Sequence, residues 1–263
     1  MRFLVMTDIE GVTGVTTFPQ AENSDFGRAM LMNDLQAVLA GIRDAGADAV
    51  VYDMHTDGRN VDLAAVDVPV VMGKPINGQR WRGVNSETVD GLFLLGLHTM
   101  QHVPNALLAH SYLREYDAIY LNGLQVGEIG MEAALAGEQG IPLCFVSADD
   151  CGCREATELI PNVITCAVKQ SLGATEAVCL PPNQTAPMLR DAAYRAAKSA
   201  VAPFTLTAPY EIRIVFSDCD YLKTMQRLHP EIFVDERTVV MRGERLLPLW
   251  SEYLTYEKEM VNA

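Results

Sequence analysis

Basic residues, histidines and long apolar runs are all scarce in this sequence. Its 263 residues contain 20 Lys and Arg against 34 Asp and Glu, which gives a net charge of −14. General nucleic-acid binders need an excess of positive charge to neutralise phosphates, so this balance argues against a nucleic-acid partner. The apolar runs, such as residues 91–97, are far shorter than the roughly 20 residues that span a bilayer, so no membrane partner is expected.

Several familiar motifs are also missing. The six cysteines form no Cys-x-x-Cys pair, and neither a phosphate-binding glycine loop nor a Gly-x-Ser-x-Gly elbow occurs. The first apolar run, Arg2 to Thr7, stops at an acid and lacks a small-residue cleavage site, so it predicts a β-strand rather than a signal peptide. Reduced thiols and the lack of a leader pattern together predict a cytoplasmic protein.

Strand and helix patterns alternate along the first two thirds of the chain. Helical spacing of apolar residues predicts helices over residues 28–45 and 126–136. Short apolar runs predict strands at residues 2–7, 48–52, 68–72, 92–97, 118–121, 142–146 and 163–168. This alternation predicts an α/β fold whose mostly parallel, open sheet carries helices on both faces.

The pattern changes at Pro181 and Pro182. Beyond them the sequence predicts helices over residues 186–201 and 247–261 and strands over 211–216 and 238–241. We therefore expect a first α/β domain over residues 1–185, which would be the catalytic one, and a smaller C-terminal α+β portion over residues 186–263.

Polar side chains follow the predicted strands at the points where they end. Asp8 and Glu10 close the first strand, His55 follows the second and His98 the fourth, while Glu128 stands near the start of a helix after the fifth. The carboxyl ends of parallel strands meet at one edge of a sheet, where ligands bind. Carboxylates and imidazoles are the ligands of zinc, and five are more than a single catalytic ion uses. Together they predict a two-metal site that could activate a water for hydrolysis.

Each of these residues also has an ordinary structural interpretation. A histidine after a strand is commonly a hydrogen-bonded structural residue, and an acid can simply cap a turn or a helix N-terminus. Their shared location favours the metal site. His110, between the fourth and fifth strands, is a candidate acid, base or nucleophile beside the metals, whereas His102 and His229 are interpreted as loop or structural residues.

The candidate residues lie in motifs that follow a fixed order. These are Asp8-Ile9-Glu10-Gly11-Val12-Thr13-Gly14, Asp53-Met54-His55-Thr56, Leu95-Gly96-Leu97-His98, Ala109-His110-Ser111 and Asn122-Gly123-Leu124-Gln125-Val126-Gly127-Glu128-Ile129-Gly130. In this order the chain resembles the DppA-type D-aminopeptidase family of zinc peptidases, from its first residue to about residue 180. Residues 77–86 and the tail after 200 depart from the family's pattern and are candidates for pocket lining or interfaces.

The resemblance implies a specific active site. It makes Asp8, Glu10, His55, His98 and Glu128 the ligands of two zinc ions per subunit, with Asp8 bridging them and His110 as the catalytic residue. It further implies a homo-oligomer, a ring-like decamer, that releases N-terminal D-residues from short peptides of the D-Ala-D-Ala type.

Two other functions remain open at this point. The Asp8-to-Thr13 segment is like the opening of haloacid-dehalogenase-type phosphatases, which would use Asp8 as nucleophile and Asp149 and Asp150 to hold magnesium. Alternatively, the chain could be a metal-containing peptide-binding protein without catalytic turnover.

Overall fold

A computed structural model describes residues 1–73 and 88–261 of the chain, so the segment 77–86 lies outside the described residues. Its strands are β1 (Arg2–Thr7), β2 (Asp48–Asp53), β3 (Val70–Val71), β4 (Gly91–Leu95), β5 (Tyr116–Leu121), β6 (Leu124–Gln125), β7 (Leu143–Asp149), β8 (Ile164–Gly173), β9 (Glu176–Cys179), β10 (Tyr210–Phe216) and β11 (Thr238–Gly243). Its α-helices are α1 (Phe18–Asn23), α2 (Asp25–Asp44), α3 (Glu128–Glu138), α4 (Asp150–Leu159), α5 (Pro182–Lys198), α6 (Asp220–Leu228) and α7 (Leu246–Val261).

The larger sheet has seven strands in the order β3-β2-β1-β4-β7-β8-β9. All neighbouring strands are parallel except β9, which pairs antiparallel with β8. Strands β4 and β7 are buried along their whole length, as expected for parallel strands covered on both faces. The predicted mostly parallel α/β sheet is confirmed, and β1 lies near its centre.

Successive residues of β1 enter two different cores. Phe3 and Val5 pack with α2 and α5 on one face of the sheet, whereas Leu4 and Met6 pack with α3 on the other. This alternation is the two-residue period of a strand between two helical layers. Because both faces are closed by helices, the ends of the strands are where polar groups can gather.

A second, smaller sheet has the order β11-β10-β5-β6 and is antiparallel. The expectation that residues 118–121 belong to the parallel sheet is therefore wrong, because β5 pairs Ile119 with Ile214 and Leu121 with Ile212 of β10. An apolar run shows that a strand forms, but its pairing partner here lies far along the chain. The expected C-terminal α+β portion is confirmed, with β5 and β6 contributed from earlier in the sequence.

Other differences concern the ends of elements and four short ones. Helix α5 begins at Pro182 rather than at residue 186, since proline is well suited to the first turn of a helix. The sequence also predicts a short helix over residues 153–159, which the structure has as α4 with an earlier start. Elements α1, β6, β9 and α6 were not predicted. Helix α5 packs on α2 of the first layer, and the boundary near residue 185 stays a prediction. Among the described residues, no helix is long and apolar enough to cross a membrane.

Candidate metal centre

The turn after β1 carries the first two candidate ligands, Asp8 and Glu10. Gly11 follows them and donates its backbone N–H to the Gly96 carbonyl at 2.7 Å. A Cβ at residue 11 would lie 1.7 Å from the Leu97 carbonyl oxygen, so only glycine lets the turn approach the end of β4 this closely. The sequence Glu-Gly thus brings the two strand ends together.

Lys169 of β8 binds the same turn through its side chain. Its buried ammonium donates hydrogen bonds to the carbonyls of Glu10, Val12 and Val15 at 2.6, 2.9 and 2.5 Å. Burial lowers the pKa of Lys169 to about 8, although nearby acids such as Asp149 act in the opposite direction. This residue was not predicted as part of the site, because a lysine in an apolar strand shows only that some partner must exist.

His55 is placed by the turn that follows β2. The Asp53 carboxylate accepts hydrogen bonds from the backbone N–H groups of Asn60 and Val61, at 2.5 and 2.8 Å. The Asn60 side chain in turn donates to the carbonyl of His55 at 2.9 Å. The loop is therefore closed on itself, and the imidazole is directed toward the end of β1.

His98 follows β4, which lies on the opposite side of β1 from β2. Its Nδ1 lies 3.2 Å from the Thr99 carbonyl, which can only accept a hydrogen bond, so Nδ1 carries a proton and Nε2 is the nitrogen left to bind either a second proton or a metal ion. The buried carboxylate of Glu155 accepts from the Thr99 hydroxyl and the Met100 N–H, both at 2.8 Å. These contacts fix the ring with Nε2 facing the site, as is usual for a metal-binding histidine.

Glu128 reaches the site from the smaller sheet. It is the first residue of α3, which follows β5 and β6, and its side chain is buried. Its Oε1 accepts the backbone N–H of Tyr112 at 2.6 Å. The centre is thus formed where the parallel sheet meets the antiparallel one.

The five predicted ligands meet around Asp8. One oxygen of Asp8 lies 2.8 Å from His55 Nδ1, and the other lies 3.5 Å from His98 Nε2. Glu10 is on the His55 side, at 3.2 Å from Nδ1, and Glu128 is on the His98 side, at 3.2 Å from Nε2. The structure therefore brings all five together as two half-sites that share the Asp8 carboxylate.

The donor set fits divalent metal ions. Among the described residues, His55 Nε2, His98 Nε2 and Glu10 Oε2 are buried polar atoms that make no hydrogen bond of normal geometry, although the last two lie 3.2 Å from an atom of opposite charge. Such atoms are costly unless another group satisfies them. Ligand atoms of Asp8, Glu10 and His98 lie within 4.8 Å of one another, as do those of His98, His110 and Glu128.

The acids and histidines of this cluster strongly shift one another's pKa values. Burial and the Glu10 charge raise the pKa of Asp8 to about 7. Burial alone would lower the histidine values, but Asp8 and Glu10 raise the pKa of His55 to about 11, and Glu128 with Asp8 raises that of His98 to about 10.

The other two acids shift the opposite way. Burial would raise their pKa values, yet His55 holds the pKa of Glu10 well below its usual range, and His98 lowers that of Glu128 to about 2. Protons thus occupy the histidines at positions where a metal ion would supply the positive charge.

His110 lies directly over His98, with ring centres 4.0 Å apart and planes 11° apart. Its Nδ1 lies 2.9 Å from the Leu108 carbonyl, so Nδ1 donates and Nε2 is left as an acceptor. Burial and the charge of His98 lower the pKa of His110 to about 4. His110 is therefore a neutral imidazole with a basic nitrogen at neutral pH.

These groups line a cavity of about 400 Å³. Besides the five acids and histidines and His110, its wall contains apolar and charged side chains from α1, from the turn after β2 and from the loop before β5. They include Phe18, Glu22, Met54, Tyr112, Leu113, Arg114 and Glu115. The cavity is large enough for a small peptide and has both a polar floor and an apolar wall.

The remaining histidines lie outside this cavity. His102 is exposed and pairs with Asp117 at 2.7 Å, and His229 lies between Glu231 and Glu259 near α7. Both positions agree with their interpretation as loop and structural residues.

A protein-family model for the D-aminopeptidases, Peptidase_M55, matches residues 1–252. The chain belongs to this family. A D-aminopeptidase of Bacillus subtilis (strain 168) is 29% identical over 198 residues, covering 73% of this chain and 72% of the relative. The fold also matches the solved structure of Zn-dependent D-aminopeptidase DppA from Bacillus subtilis, a self-compartmentalizing protease. That match has a TM-score of 0.90 and 25% identity, over 100% of this chain and 99% of the other.

As a member of this family the chain is a peptidase. Neither the phosphatase nor the non-catalytic peptide-binding alternative is favoured. In the phosphatase interpretation Asp149 would hold magnesium next to Asp8, but Asp149 follows β7, two strands from β1. Its carboxylate caps α4 through the Gly152 N–H and accepts the Ser171 hydroxyl, and Asp150 accepts the Ser171 N–H at 2.7 Å. These acids have structural tasks away from the cavity.

Proposed function

We propose that the chain is a zinc-dependent aminopeptidase that holds two zinc ions per subunit and releases N-terminal residues, with a preference for D-residues, from short peptides of the D-Ala-D-Ala type. The observation that carries the proposal is the buried Asp8 carboxylate, whose two oxygens face two different histidines. Zinc dependence is a property of the DppA relative and is extended here to this chain.

In this proposal each half-site holds one ion. Glu10 and His55 would bind the first, His98 and Glu128 the second, and Asp8 would bridge them. Three acids and two neutral imidazoles form an oxygen- and nitrogen-rich set that suits zinc. When bound, such a pair polarises a peptide carbonyl and lowers the pKa of a water molecule.

His110 is the proposed catalytic residue. Its Nε2 accepts a proton or attacks the carbonyl, since Nδ1 is already committed to the Leu108 carbonyl. A neutral ring is required for either task, and burial next to His98 keeps it neutral. The stacked His98 ring fixes the orientation of His110 relative to the floor of the cavity.

A hydrolysis panel of paired D- and L-dipeptides, run with zinc, tests the function. We expect release of free amino acid, faster from the D-peptides. Elemental analysis by mass spectrometry should find about two zinc ions per chain. A metal-replete protein that contains no divalent ion, or that retains full activity as His98→Ala, would refute the proposal. A protein that binds dipeptides but hydrolyses none would instead support the non-catalytic alternative.

Assembly and location complete the proposal. We infer a homo-oligomer, a ring-like decamer in the cytoplasm, because the DppA relative is a self-compartmentalizing protease and all six cysteines of this chain are free thiols. Light scattering coupled to size-exclusion chromatography measures the subunit number directly. A monomer at micromolar concentration would contradict the inference.

A further inference from the structure

The cavity wall contains one positively charged side chain among many acids. Arg114 is the single Lys or Arg among the described residues that line it, whereas five carboxylates belong to that lining. The carboxylates are Asp8, Glu10, Glu22, Glu115 and Glu128. A peptide with a free C-terminus brings a further negative charge into this surrounding, and on the wall formed by α1 and the loop before β5 Arg114 is the positive group available to pair with it.

Arg114 is held in place but is not saturated. Its guanidinium lies over the Phe18 ring, 4.6 Å from the ring centre, and one nitrogen is 3.4 Å from Glu22. The ring contact fixes the plane of the guanidinium, and the ion pair with Glu22 is longer than an ordinary charged hydrogen bond. With 59% of its side chain exposed, Arg114 keeps N–H donors that face solvent at the cavity.

Phe18 also limits the distance from Arg114 to the reacting groups. The same ring that supports Arg114 meets the His110 ring edge to face at 5.3 Å between centres. One aromatic side chain therefore separates the guanidinium from the proposed catalytic imidazole, and the two contacts allow at most about 10 Å between them. At about 3.3–3.6 Å per residue, at most about three residues of extended chain span this gap.

We propose that Arg114 binds the C-terminal carboxylate of the substrate, so that the enzyme selects peptides of two or three residues with a free C-terminus. The inference rests on the proposed aminopeptidase function and adds the group that reads the far end of the substrate. Planar guanidinium and carboxylate groups form paired hydrogen bonds, which suits a terminal carboxylate better than an amide.

The test compares D-alanyl-D-alanine with its C-terminal amide, which has the same shape but no charge. Consumption of the dipeptide is quantified for the zinc-loaded wild type and for Arg114→Gln, because each turnover releases two D-alanines from the acid but one from the amide. We expect the wild type to favour the free acid by at least roughly tenfold in kcat/KM, and Arg114→Gln to bring the ratio close to one through a higher KM for the acid. Added salt should lower the wild-type ratio as well, because the contact is partly exposed.

Arg195→Gln is the matched control, since Arg195 is similarly exposed and pairs with a single carboxylate, Asp191, on α5. It should keep the wild-type ratio. Turnover of the amide by Arg114→Gln shows that the variant is folded and its centre assembled. A wild type without preference for the acid, or an Arg114→Gln enzyme that retains it, overturns the inference. Failure of the wild type to hydrolyse either compound refutes the aminopeptidase function itself, and the inference with it.

Discussion

The imidazole of His110 stacks on that of His98, with ring centres 4.0 Å apart. The two rings have opposite properties, because the acids around His98 raise its pKa to about 10 while burial and the charge of His98 lower that of His110 to about 4. The acids around His98 thus favour a positive charge there, either a proton or a metal ion that replaces it, whereas His110 stays neutral with an unprotonated Nε2. This division of tasks between adjacent histidines leads to the first prediction.

Replacing His110 with alanine should separate catalysis from metal binding. We expect His110→Ala to lower kcat by about 10²- to 10⁴-fold, the usual contribution of a positioned acid–base group, while the zinc content stays at the wild-type value. His102→Asn is the control, because His102 is exposed and pairs only with Asp117 among the described residues. Steady-state kinetics and metal analysis of the same samples give both values. Loss of zinc from His110→Ala would instead make His110 a ligand.

Asp8→Asn should weaken the binding of both zinc ions at once. Asp8 faces His55 with one oxygen and His98 with the other, so the change removes a ligand from each half-site. We expect at least a roughly tenfold loss of affinity for both ions, measured by competition with a chromophoric chelator.

Asp149→Ala provides the contrast to Asp8→Asn. It removes the N-cap of α4 and should cost about 1–2 kcal/mol of unfolding free energy without loss of zinc. If Asp149→Ala were the variant that lost metal, the assignment of the centre to Asp8 would be wrong.

Zinc binding to the metal-free chain should release protons and tighten with rising pH. At pH 7 His55 and His98 both carry protons, since their pKa values are raised to about 11 and 10, and zinc must displace them. Isothermal titration in buffers of different ionisation enthalpy should show between two and three protons released per chain, because the Asp8 carboxyl, with its pKa raised to about 7, gives up a further fraction of a proton. Binding that is independent of the buffer would contradict this coupling.

The metal-free chain should respond to pH in the opposite direction. A histidine whose pKa is raised by folding contributes stability that is complete below its unfolded value of 6.5 and is lost as the pH rises toward its folded value. The unfolding temperature of the metal-free protein should therefore fall between pH 6.5 and about 10, and added zinc should reverse the trend. Thermal unfolding with and without a chelator tests both signs.

Lys169→Met should destabilise the chain and loosen the centre together. The change removes three hydrogen bonds and leaves the carbonyls of Glu10, Val12 and Val15 buried without their donor. We expect a loss of about 3 kcal/mol in urea unfolding, along with faster zinc release to a chelator. Lys223→Met, at an exposed lysine paired with Asp220, should change neither by a measurable amount. Unchanged zinc release in Lys169→Met would show that the turn keeps its shape unaided.

The local pattern of the sequence predicted the strand ends and the acids and histidines that follow them. It worked because apolar runs mark buried parallel strands, and because the carboxyl ends of parallel strands lie at the same edge of the sheet. Pairing across long separations could not be predicted in this way. Strand β5 belongs to the antiparallel sheet because its partner β10 lies almost a hundred residues on, and nothing within 118–121 signals that choice.

The supporting residues of the centre were missed for the same reason. Glu155 and Lys169 act on loops far away in sequence, so their role depends on the assembled fold rather than on neighbouring residues. A buried charge in an apolar strand, such as Lys169 after Val168, was the one available signal. It shows that a partner must exist but not which one.

The contacts of Lys169 also bear on the order in which the metal centre forms during synthesis. The carbonyls that its ammonium holds belong to residues 154 to 159 positions earlier, so the Glu10 turn leaves the ribosome long before the side chain that fixes it. Until β8 has joined β7, the nascent chain has two of the five ligands on an unsupported turn. We therefore expect zinc to be acquired late in maturation, so that ribosome-bound fragments that end before residue 169 do not retain the metal.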